Sequence, residues 1–383
     1  MYNYIPLEQA ADILDSYRKP VNSKERLNLI KGKPLDELFP YYGATGQVGW
    51  IDSFLTDGEY ILLGEDGAPF LNPYAEKAYI IYGKTWVNNH AHILRSKTNN
   101  EFLCYYLNYF NYKNYVSGTT RLKLTQAQMR KIPIPNIPSD EQSRIVASIE
   151  ELFSELDKAV DTLKTTKEQL EVYRQTILVD AFRAATNSTY LKVGCVCAKI
   201  VDCPHSTPKW EKSGKLCLRT TNFKRGYLDL QSPNYVSEET FHDRNRRIIP
   251  QPGDVLYSRE GSVLGIACTI PSNVYPCLGQ RMMLLRSGEK LNNRYLMHYL
   301  NSPMVTNHVI ATKGGTGSPH INVGDIKEFK IPIPSLEEQS NIVRQIEEQL
   351  SSCDNVEKTV DAILAQADAM RQSILKQAFE GKL

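Results

Sequence analysis

Two short stretches mix the side chains that hydrogen-bond to nucleic acid. Leu218-Arg-Thr-Thr-Asn-Phe-Lys-Arg-Gly226 and Arg244-Asn-Arg-Arg247 interleave guanidinium, amide and hydroxyl groups. Arginine can bind guanine, and asparagine or glutamine adenine, through paired hydrogen bonds, while lysine and threonine suit phosphates. Arg219, Asn222, Lys224, Arg225, Arg246 and Arg247 are therefore candidate DNA contacts, joined by Arg259 of Gly253-Asp-Val-Leu-Tyr-Ser-Arg259. The glycine-rich run Thr312-Lys-Gly-Gly-Thr-Gly-Ser-Pro-His320 could follow a groove and adds Lys313 and His320. In the first half the comparable loops are Tyr41-Tyr-Gly-Ala-Thr-Gly-Gln-Val-Gly49, Asn88-Asn-His90 and Gly118-Thr-Thr-Arg-Leu-Lys123. They contribute Tyr42, Thr45, Gln47, Asn88, Asn89, Arg121 and Lys123. Taken singly, each of these residues also reads as an ordinary solvated loop side chain.

Residues for covalent chemistry do not assemble. Gly314-Gly-Thr-Gly-Ser318 lacks the lysine spacing of a phosphate-binding loop, and Asn72-Pro-Tyr74 lacks the second proline of an amino-methyltransferase loop. Seven histidines are scattered without a triad or metal spacing. Cys195, Cys197, Cys203 and Cys217 lie near His205 but do not form two tight ligand pairs, so they are expected to pack as small core residues. The chain is accordingly expected to have no catalytic and no metal-ligating residue, and to bind no cofactor.

Charge is divided along the chain. The net of +2 resolves into +2 for residues 1–135, −4 for 136–185, +8 for 186–330 and −4 for 331–383. Basic segments suit a phosphate backbone, and the acidic ones a protein partner. No run of eighteen apolar residues exists, and residues 1–14 include acidic residues and no basic region ahead of an apolar core, which implies a cytoplasmic protein with reduced cysteines.

The elements that must position these loops come from a tandem repeat. Lys-Ile-Pro-Ile-Pro occurs at 131–135 and again at 330–334. Residues 141–182 and 338–379 share 18 identities in 42 positions at a constant offset of 197. Alternating prolines force an extended approach, and Ser139-x-x-Gln142 and Ser335-x-x-Glu338 then read as capping boxes that open helices. Apolar residues follow at heptad spacing: Ile145, Ile149, Leu152, Leu156, Ala159, Leu163, Leu170, Tyr173 and Ile177. The second series is Ile342, Ile346, Val356, Val360, Ile363, Ala367, Met370 and Ile374. Two matched helices of about 40 residues are expected to pair antiparallel as a coiled coil.

Short apolar runs such as Tyr60–Leu63, Tyr79–Tyr82, Asp254–Tyr257 and Arg281–Leu285 read as strands. Phe102–Phe110 and Tyr295–Asn301 read as short helices. The expected fold is mixed α/β. Globular units occupy 1–135 and 186–330, and long helices occupy 136–185 and 331–383, as a pseudo-two-fold repeat.

The twin Lys-Ile-Pro-Ile-Pro segments do not stand alone. With the Arg-Gln-x-Ile-Leu-x-x-Ala-Phe helix ends, Asp202-Cys-Pro-His-Ser-Thr-Pro-Lys-Trp210, Tyr42-Gly-Ala-Thr-Gly46 and Gly64-Glu-Asp-Gly67, the chain resembles the specificity subunit of type I restriction–modification enzymes over nearly its whole length. The resemblance implies two target-recognition domains reading the halves of an asymmetric, split site on double-stranded DNA, with the helices as a ruler for the spacer. It implies two methyltransferase subunits as partners, using S-adenosylmethionine on adenine N6, and restriction subunits driven by ATP with magnesium. A self-sufficient nuclease or methyltransferase would need catalytic motifs that this sequence lacks. A scaffold without DNA affinity would leave the +8 segment unexplained.

Overall fold

Heptad-bearing helices and proline-bounded strands are what the chain forms. In the computed structural model, residues 3–185, 188–312 and 319–383 are described. Ser139–Ala184 and Leu336–Phe379 are single helices of 46 and 44 residues. The chain divides into two compact units, residues 1–164 with 361–383, and residues 165–360. Each unit thus combines a globular part with a piece of each long helix.

Unit 1 is built on an antiparallel sheet ordered Ala11–Ile13, Ala91–Ser96, Tyr60–Gly64, Ala78–Ile81. Beside it is a mixed sheet in which Phe39–Gly43 pairs antiparallel with Gly46–Ile51 and parallel with Lys84–Val87. Unit 2 repeats the scheme. Its four strands run Cys197–Asp202, Met282–Ser287, Val255–Ser258, Ala267–Thr269, and Lys215–Leu218 pairs parallel with Cys277–Leu278. The central strands Tyr60–Gly64 and Val255–Ser258 are buried along their whole length, as the runs Tyr-Ile-Leu-Leu and Val-Leu-Tyr require, while strands farther out such as Gly46–Ile51 and Cys197–Asp202 are partly exposed. Both helices read from the sequence are present, as Asn100–Tyr109 and Asn293–Asn301.

The repeat extends to single hydrogen bonds. Asn108 accepts from the Ala78 amide (3.0 Å) and donates to the Ala78 carbonyl (2.7 Å). Asn301 does the same to Ala267, at 2.9 and 2.8 Å. Such a carboxamide, buried at Asn301 and half-buried at Asn108, satisfies both backbone groups of a strand residue that would otherwise lie unpaired against a helix. Tyr106 donates to the Pro133 carbonyl and Tyr299 to that of Lys330, tying each Lys-Ile-Pro-Ile-Pro strand to its unit.

The long helices bring matching contacts to both units. In unit 1, Phe379 packs among Phe102, Tyr106 and Tyr109, and Arg371 pairs with Asp157. In unit 2, Phe182 packs against Tyr295 and Tyr299, and Arg174 pairs with Asp354 at 2.5 Å and Glu357 at 2.8 Å. Lys167 also meets Glu357, so within unit 2 the helix pieces run antiparallel.

Three local expectations are corrected. Gln142 forms no capping box, because its helix already includes Ser139. Its side chain is buried instead, donating to the Ile137 carbonyl and accepting from Thr98. Gln339 is used in the same way, on the Pro334 and Lys290 carbonyls. The apolar stripe also shifts. Ala159, Tyr173, Val356, Ile363 and Met370 are exposed, while Val160, Arg174, Leu364 and Arg371 turn inward. A straight α-helix drifts about 20° per heptad from a strict seven-residue repeat, so over several heptads the covered face moves along to the next residue. Of the cysteine group, Cys203 and Cys217 are core, Cys197 is half-buried and Cys195 is exposed.

Candidate nucleic-acid interface

Three backbone hydrogen bonds define the loop-bearing end of unit 1. The Asn88 amide donates to Tyr42 (3.1 Å), Glu65 donates to His90 (2.7 Å), and Leu124 donates to Glu65 (2.7 Å). They gather the hairpin after Tyr42, the Asn88–His90 turn, the Glu65–Gly67 turn and the Arg121–Lys123 loop, which the sequence holds far apart. Unit 2 has the same three bonds. Gly279 donates to Leu218 (2.9 Å), Arg259 to Arg281 (3.0 Å) and Ile321 to Arg259 (2.9 Å). Short bridges Asp66 to Lys123 and Glu260 to His320 complete the match. The equivalent positions are therefore Glu65 and Arg259, Asp66 and Glu260, His90 and Arg281, Lys123 and His320.

The side chains at this end of unit 1 are more acidic than the candidate residues suggested. Arg121 pairs with Asp66 (2.8 Å), Lys123 with Glu65 (3.1 Å), and His90 with Asp66 (2.5 Å). Arg18 joins Glu65 and Asp15, and buried His92 lies between the Asp15 carboxylate (2.8 Å) and the Leu124 carbonyl (2.9 Å). Thr45 and Asn89 are exposed, and Gln47 folds back on the Gly49 carbonyl. Asn88 is buried, and its side chain accepts from the His90 amide. Tyr42 packs against Tyr79, and burial raises its phenol pKa.

Burial by itself would lift the Asp15 carboxyl, but hydrogen bonds from His92, Gln126 and the Ile93 amide outweigh it and hold it below its ordinary value. Glu65 is lowered against its own burial by Arg18 and Lys123. A lowered folded value means stability that is present above the unfolded carboxylate range, near pH 4, and lost as pH falls through the folded value. Asp15→Asn is expected to cost about 1–3 kcal/mol at pH 7 and to flatten the acid limb of a urea-melt series. An unchanged acid limb would remove Asp15 from this account.

In unit 2, Arg259 is almost buried and grips Asp202 with two bonds, at 2.8 and 3.0 Å, with His205 at 3.1 Å from the same carboxylate. Asn222 is spent internally on the Arg219 amide and the Asp229 carbonyl. Arg219 is exposed, its guanidinium 5.4 Å from the Trp210 ring. Lys224 and Arg225 line a groove with Glu171, Glu347 and Asp354 of the helices, and Arg225 also lines a second cavity with Gly261 and Pro319, next to the Glu260–His320 bridge. Arg246 pairs with Asp243, and Arg247 is exposed with no partner among the described residues. Buried Arg244 ends the helix Glu238–Arg244 just before them and ties it to this end through the Ser206, Leu278 and Gly279 carbonyls. His320 is exposed beside Glu260, and Lys313 lies outside the described residues.

The structure thus brings Tyr42, Asn88, Arg121 and Lys123 to one end of unit 1, and Arg219, Arg259 and His320 to the matching end of unit 2. Asp15, Glu65, Asp66, Asp202 and Glu260 were not anticipated. The signal for Glu65, Asp66 and Glu260 was present in the parallel between Gly64-Glu-Asp-Gly67 and Ser258-Arg-Glu-Gly261, and that for Asp15 and Asp202 in the likeness of Tyr4–Asp15 to Tyr190–Asp202.

Comparison with known proteins follows the same division. The family model for the type I restriction modification DNA specificity domain matches twice, at residues 9–172 and 205–364. A putative type I restriction enzyme specificity subunit of Haemophilus influenzae is 29% identical over 350 residues, covering 88% of this chain and 85% of that protein. A chain from a structure of a type I R-M system, described for its assembly and conformational transition, matches with a TM-score of 0.68 at 18% identity, covering 100% of this chain and 98% of its own. The HsdS subunit from Thermoanaerobacter tengcongensis gives 0.58 at 20% identity, covering 100% and 97%. These two structures share the fold. A framework that occurs twice, and a family model that matches twice over most of the chain, place this protein in the type I restriction–modification specificity family, as a DNA sequence-recognition subunit.

Proposed function

We propose that each unit reads one half of a split, asymmetric DNA site, and that the chain presents this site to partner subunits that carry out the chemistry. One observation carries the reading: an identical backbone framework holds different side chains at its equivalent positions. Glu65 stands against Arg259, His90 against Arg281 and Lys123 against His320. A symmetric site would call for matching pairs. Two readers of the same build with unlike surfaces fit two unlike half-sites.

Net charges of +2 and +8 on the globular segments favour phosphates, and −4 on each helical segment favours a protein partner. In this reading two methyltransferase subunits dock there and transfer the methyl group of S-adenosylmethionine to adenine N6. Restriction subunits using ATP and magnesium complete the complex, which acts in the cytoplasm. Among the described residues no helix is long and apolar enough to cross a membrane.

The test is an exchange. Residues 186–330 are replaced by the corresponding segment of a relative, and the chimaera is co-expressed with its methyltransferase. Methylome sequencing should then show one half-site changed and the other half-site kept. Change in both halves would refute the division of labour.

A further inference from the structure

We propose that Gln280 and Arg281 are specificity-determining residues of unit 2, the counterparts of Asn89 and His90 in unit 1. The inference rests on the reading of each unit as a half-site reader. It names the dipeptide that the framework presents.

The parallel strand pairs fix the geometry of this loop in both units. Lys84–Val87 and Cys277–Leu278 each leave their sheet through one amide that donates back to the neighbouring strand, from Asn88 to Tyr42 and from Gly279 to Leu218. Two residues later, the carbonyls of His90 and Arg281 accept from Glu65 and Arg259. Between these two fixed points the chain offers a carboxamide and then a basic side chain in both units. Each basic side chain is held by the acid at the equivalent position: His90 by Asp66 at 2.5 Å, and Arg281 by Glu260 at 3.8 Å. Sequence alignment at the helix offset of 197 does not reveal this pairing, because the loop offset here is 191.

Two features of unit 2 suit base recognition. Arg281 sits at φ 66° and is exposed, a left-handed conformation that a long side chain adopts only when its surroundings impose it. Gln280 donates through Nε2 to the His205 carbonyl (2.8 Å) and to Thr207 Oγ1 (3.0 Å). A carbonyl only accepts, so the amide orientation is fixed, and Oε1 makes no bond among the described residues. A fixed, unused acceptor suits an exocyclic amine of adenine or cytosine, and a guanidinium beside it suits guanine.

The full chain, co-expressed with its methyltransferase, is examined by methylome sequencing as wild type, Gln280→Ala, Arg281→Ala and Arg281→Gly. Glycine accepts the left-handed backbone, so the last variant removes the side chain without straining the fold. Each variant should relax one position of a single half-site, with about a 5- to 150-fold loss of discrimination there. Asn89→Ala should relax the other half. A wild type with no two-part motif would defeat the reading of function itself. A normal wild-type motif that Gln280→Ala and Arg281→Gly leave unchanged, or abolish at every site in folded protein, would overturn this inference alone.

Discussion

Phe182→Ala is expected to destabilise unit 2 by about 3–5 kcal/mol, the usual cost of removing a buried phenylalanine. The ring is fully buried, with centroids 5.1 Å from both Tyr295 and Tyr299. Those tyrosines donate to the Pro332 and Lys330 carbonyls, which anchor the strand that leads into the second long helix. The empty volume therefore lies where helix, helix and strand meet, and little there can collapse to fill it. Phe182→Leu, which keeps most of the volume, should cost far less. Phe379→Ala should do to unit 1 what Phe182→Ala does to unit 2, because Phe379 fills the same position against Phe102 and Tyr106. Denaturant melts followed by tyrosine fluorescence, with proteolysis to report which unit opens, measure both effects. A loss under 1 kcal/mol for either alanine variant would show that these helix ends are not anchors.

How much of this was legible beforehand depends on the range of each interaction. The helices were readable because their signals are local: proline exits, acidic first turns and a sustained apolar period. The exact stripe was not, since drift accumulates over several heptads and places Arg174 and Arg371 inward where Tyr173 and Met370 were expected. Strands were readable from apolar runs, whereas sheet order depends on pairings such as that of Ile61 with Leu94. For the interface, residue type alone identified the loops but not the state of their side chains. Arg259 and Asn222 look like base-reading groups in a linear string. Their partners Asp202 and Asp229 lie 57 and 7 residues away, and only the fold reveals that their hydrogen bonds are already made. Gln280 escaped notice for the opposite reason: no cluster of polar neighbours surrounds it in the sequence, and its importance comes from the equivalence with Asn89.

The Asp202–Arg259 pair separates organising a surface from reading with it. Asp202→Ala should cost about 3–5 kcal/mol, because it leaves a nearly buried guanidinium without its carboxylate. Arg259 also donates its backbone amide to Arg281 and accepts from Ile321, so the strain should spread through the whole end of unit 2. A buried ion pair replaced on both sides by apolar groups of similar volume is often neutral. The double variant Asp202→Leu with Arg259→Met should therefore recover most of the lost stability in denaturant melts. Its effect on recognition is then decisive. If Arg259 only braces the loops, the stable double variant methylates the wild-type motif. If the guanidinium leaves Asp202 to reach a base, the double variant stays folded while one position of one half-site relaxes. The bidentate geometry, with both carboxylate oxygens engaged and His205 beside them, favours bracing, and the unchanged motif is the expected result.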